Sequence, residues 1–326
     1  ALIFVGAIVF TYLLVEVTPL KGKLAYFIVF FFSLMIANGF TGGLRFGFPA
    51  AKDAIIKTLV AFGAVVTVIP IASILGTVIS KGYKGIKLNL FTQDMSMATP
   101  TDPLNNGGIL HAITGTLTLV ALALIMSVPL GILTALYLTE IKGRFSKPIK
   151  FLVQAMSGVP SIVAGLFILS AVLYPITKSY SGFMGALALT ILMIPTVART
   201  SEEVLNLIPQ DLREAGTALG GTQWRTVAMI VLPAARSGLI TAMILGVARI
   251  AGETAPLLLL TGGGDKVNGN PFSGPLGSLP YYIWKSFNAG SEEAITRAWA
   301  GLLVLVVLIL ILFTTARFLS TRKVSR

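Results

Sequence analysis

The chain has no cysteine and a single histidine in 326 residues. That excludes disulfides, thiolate metal sites, iron-sulfur clusters and cysteine nucleophiles, and with them any metal site built from several histidines of this chain. Charge is also scarce: 12% of residues are charged, with 13 acids against 25 bases. No G-x-x-x-x-G-K-[ST] run is present, so nothing cradles a nucleotide phosphate in the usual way. The nearest imitation, "GGGDKVNG" at 262–269, lacks the Gly-Lys-Ser/Thr end. Glu202 and Glu203 have no acid-base partner that suggests hydrolysis.

What the chain has in excess is apolar sequence, 55% hydrophobic with a mean hydropathy of +0.87. The apolar runs are too many and too long for one soluble core, which makes this a polytopic membrane protein. Backbone polar groups have no water to bond inside hydrocarbon, so the runs are read as helices and the fold class as all-α. Spans are expected near 1–17, 24–42, 55–80, 111–138, 150–174, 183–199, 238–260 and 299–318. The formal charge of +12 is scattered between these runs instead of forming a basic stripe with aromatics, so nucleic acid is not an expected partner.

Lys and Arg near the spans set the orientation. Segment 140–150, "EIKGRFSKPIK", carries Lys142, Arg144, Lys147 and Lys150 against Glu140, and the tail from Arg317 adds Arg322, Lys323 and Arg326 without an acid. Both are expected in the cytoplasm, which also places the loop 200–237 and the C-terminus there. Segments 81–110 and 261–298, rich in Gly, Pro and Asn, then lie outside. The first hairpin runs against the rule, since its outer loop "PLKGK" holds Lys21 and Lys23.

The loop 200–237 contains "EAGTALGGTQWRTVAMIVLPAARSG" at 214–238. Acidic residues come early in a run of helix formers after Pro209, and Gly220 with Gly221 supplies a stop where positive φ is needed. Thr222 is placed to cap a second helix with Trp224, Val227, Ile230 and Val231 on one side, and Pro233 is expected to redirect the chain toward the membrane. The product is a rigid elbow suited to act as a lever docked in a partner.

The span after the elbow reads "SGLITAMILGVARIAGETAPLLLL" and buries Arg249 and Glu253 in the apolar layer. Arg249 lies about 18 Å along the helix from Ser237, beyond the middle of a core about 30 Å thick. A charge there is a functional-site hypothesis by default. Glu253 is expected one turn on, on the same face, with Gly238, Ala242, Gly246 and Gly252 close to it. A guanidinium offers planar forked donors to a tetrahedral oxyanion. An adjacent carboxylate repels any anion that has no proton to donate, which favours hydrogen phosphate over sulfate. Ser157 and Ser161 flank the helix-breaking "GVP" and are candidates to line the same path. His111 is expected at the outer interface, and Thr114, Thr116 and Thr118 are expected to bond their own i−4 carbonyls. Lys81, Lys84 and Lys87 read as solvated charge.

Glu214, Ala215, Gly220, Ile230, Leu232 and Pro233 match in spacing the E-A-A, three residues, G, nine residues, I-x-L-P pattern, and so resemble the coupling loop of ABC importer permeases. The one departure is Gly216, where the third small residue is usually alanine. "ARIAGETAPLLL", with Thr254 in its centre, "SGVPSIVAGL" at 157–166 and the run 115–140 ending at Glu140 are similar to phosphate ABC importer permeases of the PstA type. The resemblance implies a type I permease fold with six core spans, to which the hairpin 1–42 is an addition. It implies a first family helix at 43–80, an outer loop at 81–110, a permease core at 111–318 and a basic tail at 319–326. It further implies a non-catalytic subunit of the bacterial inner membrane, among membrane lipid. The implied partners are a sister permease of the PstC type, two ATPase subunits that bind ATP and Mg, and an external phosphate-binding protein. By that resemblance Glu214, Ala215, Gly216, Gly220 and Gly221 contact the ATPase, while Arg249, Glu253, Thr254, Ser157 and Ser161 serve the substrate. Permeases for sulfate or molybdate remain alternatives, as does an ion-coupled secondary transporter, although no internal repeat is visible. A structural scaffold would leave Arg249 and Glu253 an unexplained cost.

Overall fold

The computed structural model describes residues 2–19 and 21–321, so Arg322, Lys323 and Arg326 lie outside the described residues. The chain divides into two compact units, Ala1–Thr77 and Val78–Arg326. Among the described residues all regular elements are helical, apart from two isolated bridges, Ser181 to Gly274 and Gly262 to Leu276.

The first unit holds α1 (Leu2–Val17), α2 (Lys23–Phe46) and the greater part of α3 (Phe48–Gly82). The stretch 43–54, between the second and third expected spans, is itself helical except at Gly47. Gly47, at φ 83°, turns the chain in one residue, and its N–H bonds the Gly43 carbonyl at 3.0 Å. Gly39 and Gly42 let α3 approach closely: a Cβ on Gly42 would stand 3.1 Å from the Ala50 carbonyl oxygen. Phe31 stacks on Phe62 with ring centroids 3.7 Å apart, and Asn38 donates to Thr58 at 3.1 Å.

In the second unit a 3-10 turn at Tyr83–Gly85 and α4 (Leu88–Thr92) lead to α5 (Leu110–Leu136), which ends in a wide π turn at Tyr137–Ile141. Then come α6 (Ser146–Ser157), α7 (Ser161–Ile168) with a π extension at Leu169–Thr177, and α8 (Gly182–Asn206). The chain continues through α9 (Gln210–Ala218), α10 (Gln223–Thr226), a π turn at Val227–Val231, α11 (Leu232–Ile250) and α12 (Ala255–Leu260). It closes with α13 (Leu279–Ala289) and α14 (Glu292–Thr321). Helix α8 is central, packed by α5, α6, α7, α11 and α12. Helices α5 and α8 run parallel: a Cβ on Gly185 would meet Leu119 at 3.2 Å, and one on Gly131 would meet Val197 at 2.8 Å. The core between them is Leu119, Ala123, Leu189, Met193 and Val197, joined by Ile250 of α11.

Six helices among the described residues are long and apolar enough to cross a membrane, and α1 is apolar but shorter. Four expectations are corrected. The run at 150–174 is not a straight span, because α6 and the α7 segment meet at 107°. Gly158 and Pro160 cause this: proline disfavours a helical conformation in Val159 and has no N–H for the ladder. Pro233 does not redirect the chain, and Gln223–Ile250 is one 28-residue helix. The π turn at Val227–Val231 widens the helix just before the proline, where an α-helical carbonyl would clash with its ring. The run 238–260 is broken at Gly252, between α11 and α12. Finally, α14 starts at Glu292 instead of 299, and the outer segment 261–298 contains α13, stopped by Gly290 at φ 76°.

Candidate functional site

Two regions carry the residues singled out by the sequence, and the elbow is the first. Pro209 precedes α9, Asp211 sits in its first turn, and the Gly221 N–H bonds the Gly216 carbonyl at 3.2 Å with Gly220 at φ 80°. This is the expected glycine stop. The Thr222 side chain accepts from the Arg225 N–H at 3.4 Å and caps the second helix, also as expected. Glu214 and Ala215 are exposed, whereas Gly216 is buried inside the bend. A Cβ on Gly216 would lie 2.6 Å from Thr226 Cγ2 and 2.8 Å from Ile230 Cδ1. Glycine therefore stands where alanine is usual because the two helices of the elbow cross at that point. Val227 and Val231 are buried, but Trp224 is 64% exposed and does not share their contact.

Arg213, one residue before Glu214, was not singled out by the sequence, and it ties the elbow to the bundle. Its Nη2 donates to Glu140 Oε1 at 2.8 Å and its Nε to both carboxylate oxygens at 3.2 and 3.1 Å. The same guanidinium caps the end of α8, donating to the carbonyls of Leu205 at 2.9 Å and Ile208 at 2.6 Å. Gln223 adds a bond to the Glu140 carbonyl at 2.7 Å. The ends of α5 and α8 and both elbow helices thus meet at two residues, Glu140 and Arg213, beside a cavity of about 680 Å³ lined by Lys142, Pro209, Glu214 and Thr217 among others. The only sequence signal for this was an acid ending the first core span.

The second region is the break after α11. Arg249 Nη1 donates to Glu253 Oε1. Glu253 is not one turn up a continuous helix: α11 ends at Ile250, and the Glu253 N–H closes a tighter turn onto the Ile250 carbonyl at 3.1 Å. Arg249 is also not enclosed by its own chain, since its side chain is 44% exposed against 11% for Glu253. Among the described residues its remaining N–H groups have no acceptor. Of the small residues counted toward this face, Gly238 and Gly246 serve α8 instead, whereas Gly252 has open space beside it. A Cβ on Gly238 would meet Val204 at 2.4 Å and one on Gly246 would meet Met193 at 2.6 Å. Arg249 shares its open face with Thr241, Leu245 and Gly252.

Helix α7 packs on α12, and Gly165 touches Pro256, where a Cβ would stand 2.9 Å from the Pro256 Cα. The segments carrying Ser161 and Thr254 are thereby brought side by side. Ser157 spends its hydroxyl on the Val153 carbonyl at 3.0 Å, and no hydrogen bond joins Ser157 or Ser161 to Arg249 or Glu253 among the described residues. The Thr254 hydroxyl makes a long contact of 3.5 Å to the Gly252 carbonyl.

Residues 127–325 match the family model described as binding-protein-dependent transport system inner membrane component. The chain belongs to this family. Among curated relatives, the phosphate transport system permease protein PstA 1 of Mycobacterium tuberculosis (strain ATCC 25618 / H37Rv) is 36% identical over 277 residues, covering 83% of this chain and 89% of the relative. The phosphate transport system permease protein PstA of Pasteurella multocida (strain Pm70) is 39% identical over 253 residues, 77% of this chain and 88% of the relative. A crystal structure of a bacterial ABC transporter involved in the import of the acidic polysaccharide alginate superposes with a TM-score of 0.61 at 15% identity, covering 84% of this chain and 97% of that one. That likeness carries the fold, an ABC importer permease bundle.

The remaining candidates, most of them at the opposite end of this permease bundle, are structural. Thr114, Thr116 and Thr118 bond the carbonyls of Leu110, Ala112 and Thr114 at 2.8 to 2.9 Å, as expected. His111, in the first turn of α5, is buried within the protein, because α13 covers it and Tyr282 packs edge-on at 5.7 Å. Lys81 lies over Trp299 at 4.9 Å and Lys87 donates to Asn105 at 2.7 Å. Arg297 is 2% exposed and donates to the carbonyls of Thr99, Pro100, Pro103 and Asn106 at 2.7 to 3.2 Å, which fixes the loop 93–109. Glu202 pairs with Lys150 at 2.7 Å and Glu203 with Arg199 at 3.7 Å, so neither carboxylate is set up for proton transfer.

Proposed function

We infer that the chain is the transmembrane permease subunit of an ATP-driven inorganic phosphate importer, a non-catalytic component of a multi-pass bacterial inner-membrane transporter. The relatives named above are phosphate permeases at 36 to 39% identity over most of their length, and that is the observation that carries the reading. The elbow at 210–233 docks on a separate ATPase subunit that binds ATP and Mg, through Glu214, Ala215 and the Gly220-Gly221 turn. Gly216 supports that contact from within by allowing the tight crossing. The loop and the C-terminus face the cytoplasm, in line with the basic segment 140–150. The assembly comprises this chain, a sister permease, two ATPase subunits and an external phosphate-binding protein.

Phosphate passes the open face of α11, which the sister permease covers. Arg249 has unused donors there, and a guanidinium that never deprotonates binds an oxyanion at any working pH. Glu253 orients it and accepts a hydrogen bond from the protonated oxygen of hydrogen phosphate; Thr254, Ser161 and Ser157 line the path around the two helix breaks. Purification with co-expressed neighbours tests the reading. An ATPase subunit that co-purifies and hydrolyses ATP faster when the loaded phosphate-binding protein is added supports it, and hydrolysis indifferent to phosphate overturns it.

A further inference from the structure

The parallel course of α5 and α8 requires one return crossing between them, and the bend at 158–160 leaves that crossing to α7 and its π extension alone. Residues 161–177 reach about 25 Å at 1.5 Å per residue, close to the thickness of a hydrocarbon core. Helix α6 is therefore surplus to the crossing and turns away at 107°.

Helix α6 has three faces. Ile149, Val153 and Met156 pack inward, with Val153 buried. Phe151 is 73% and Leu152 57% exposed, and Pro148 and Ala155 extend the same apolar band. Lys147 lies on the edge of that band, near Lys142 and Arg144 of the preceding turn. Glu140 is taken by Arg213 and Glu202 by Lys150. Among the described residues Lys142, Arg144 and Lys147 have no carboxylate partner, and Arg144 lies over Phe145 at 4.7 Å.

We propose that α6 lies flat in the membrane interface and that Lys142, Arg144 and Lys147 bind the phosphodiester headgroups of anionic lipid. An apolar band beside a basic edge on a helix at right angles to a crossing segment is the distribution that seats its apolar side against acyl chains and its cations among headgroups. Charge complementarity selects the occupant: the edge carries three cations, Lys142, Arg144 and Lys147, and none of them is neutralised by an ion pair among the described residues. The proposal needs only that the chain crosses a bilayer, so it stands or falls separately from phosphate transport.

The chain contains no cysteine, so a spin label can be placed at one position. The full chain carrying Phe151→Cys or Gln154→Cys is labelled and reconstituted in vesicles of phosphatidylcholine with phosphatidylglycerol. The label at 151 is expected to collide with dissolved oxygen and not with a water-soluble nickel chelate; the label at 154 shows the reverse. Preference of the unlabelled chain for spin-labelled phosphatidylglycerol over phosphatidylcholine is expected to fall by about five-fold per cation removed in Lys142→Gln, Arg144→Gln and Lys147→Gln. Lys142→Arg with Lys147→Arg retains it. A label at 151 that is open to the nickel chelate, or shielded from both reagents by another protein, overturns the proposal. So does a lipid preference unchanged in the neutralised chain.

Discussion

Arg213 grips Glu140 across the gap between the coupling elbow and the first core helix, with Nη2 2.8 Å from Oε1. Both side chains are largely shielded, 17% and 8% exposed, and the same guanidinium closes the C-terminal carbonyls of α8. Any displacement of α9 is thus carried to two spans through one side chain. Neither α5 nor α8 can follow the elbow loosely while that contact holds.

Arg213→Ala is expected to leave ATP hydrolysis in place and to raise the ATP used per phosphate imported, within the roughly 5- to 150-fold range of site-to-site coupling. It also strands the Glu140 carboxylate, a loss of up to about 3–5 kcal/mol where the charge is fully buried. The exchange of Glu140→Arg with Arg213→Glu recovers only part of the coupling, because the Leu205 and Ile208 carbonyls lose their donor. Hydrolysis and uptake measured together in proteoliposomes check this, and equal loss of both points to misfolding.

Gly216→Ala is expected to weaken the elbow even though alanine favours helix by about 1 kcal/mol. The new methyl meets Thr226 Cγ2 at 2.6 Å, and overpacking of this kind costs about 1–3 kcal/mol. Thr226→Ala in the same chain relieves the closest contact. Thermal unfolding of the three variants gives the order wild type, double variant, Gly216→Ala.

Much of this arrangement was legible in the sequence. The Gly220 turn and the Thr222 cap follow from residue types with strong local preferences, and the apolar runs follow from the need to satisfy backbone groups in lipid. The failures lie where two local signals compete. Pro233 reads as a stop, but the π turn before it accommodates the ring, and such a turn leaves no mark in composition. Arg213 was hidden for a different reason: its partner is 73 residues away, and long-range pairing is not encoded in spacing. The exposed side of Arg249 could not be read either, since helical periodicity gives a face without saying which neighbour covers it.

Glu253→Gln is expected to keep transport but to narrow the discrimination between phosphate and sulfate, because a neutral amide no longer repels an anion without a proton. The preference falls by about ten-fold or more, because the like-charge penalty that rejects sulfate is removed while the amide oxygen still accepts from hydrogen phosphate. Competition of sulfate against radiolabelled phosphate uptake measures it.

The loop 93–109 should loosen in acid. Burial raises the Asp94 carboxyl, but the Ser96 hydroxyl and amide and the Val267 amide outweigh it and hold the group below its ordinary 3.8. The Thr99 amide and hydroxyl do the same for Asp102. Each depressed carboxyl contributes stability that is full above the unfolded value of about 3.8 and is lost as the pH falls through the lower folded value. Amide exchange at Ser96, Thr99 and Val267, corrected for intrinsic rates, is expected to accelerate over that window and to stay flat from there to neutrality.

The central claim is tested most directly by ATP-driven uptake of radiolabelled phosphate into proteoliposomes holding the complete transporter, with wild-type chain, Arg249→Lys or Arg249→Ala. With assembly and basal hydrolysis intact, the account predicts loss of uptake by at least about a hundred-fold in Arg249→Ala and partial retention in Arg249→Lys, which keeps the charge without the fork. Wild-type uptake rates in Arg249→Ala would contradict it.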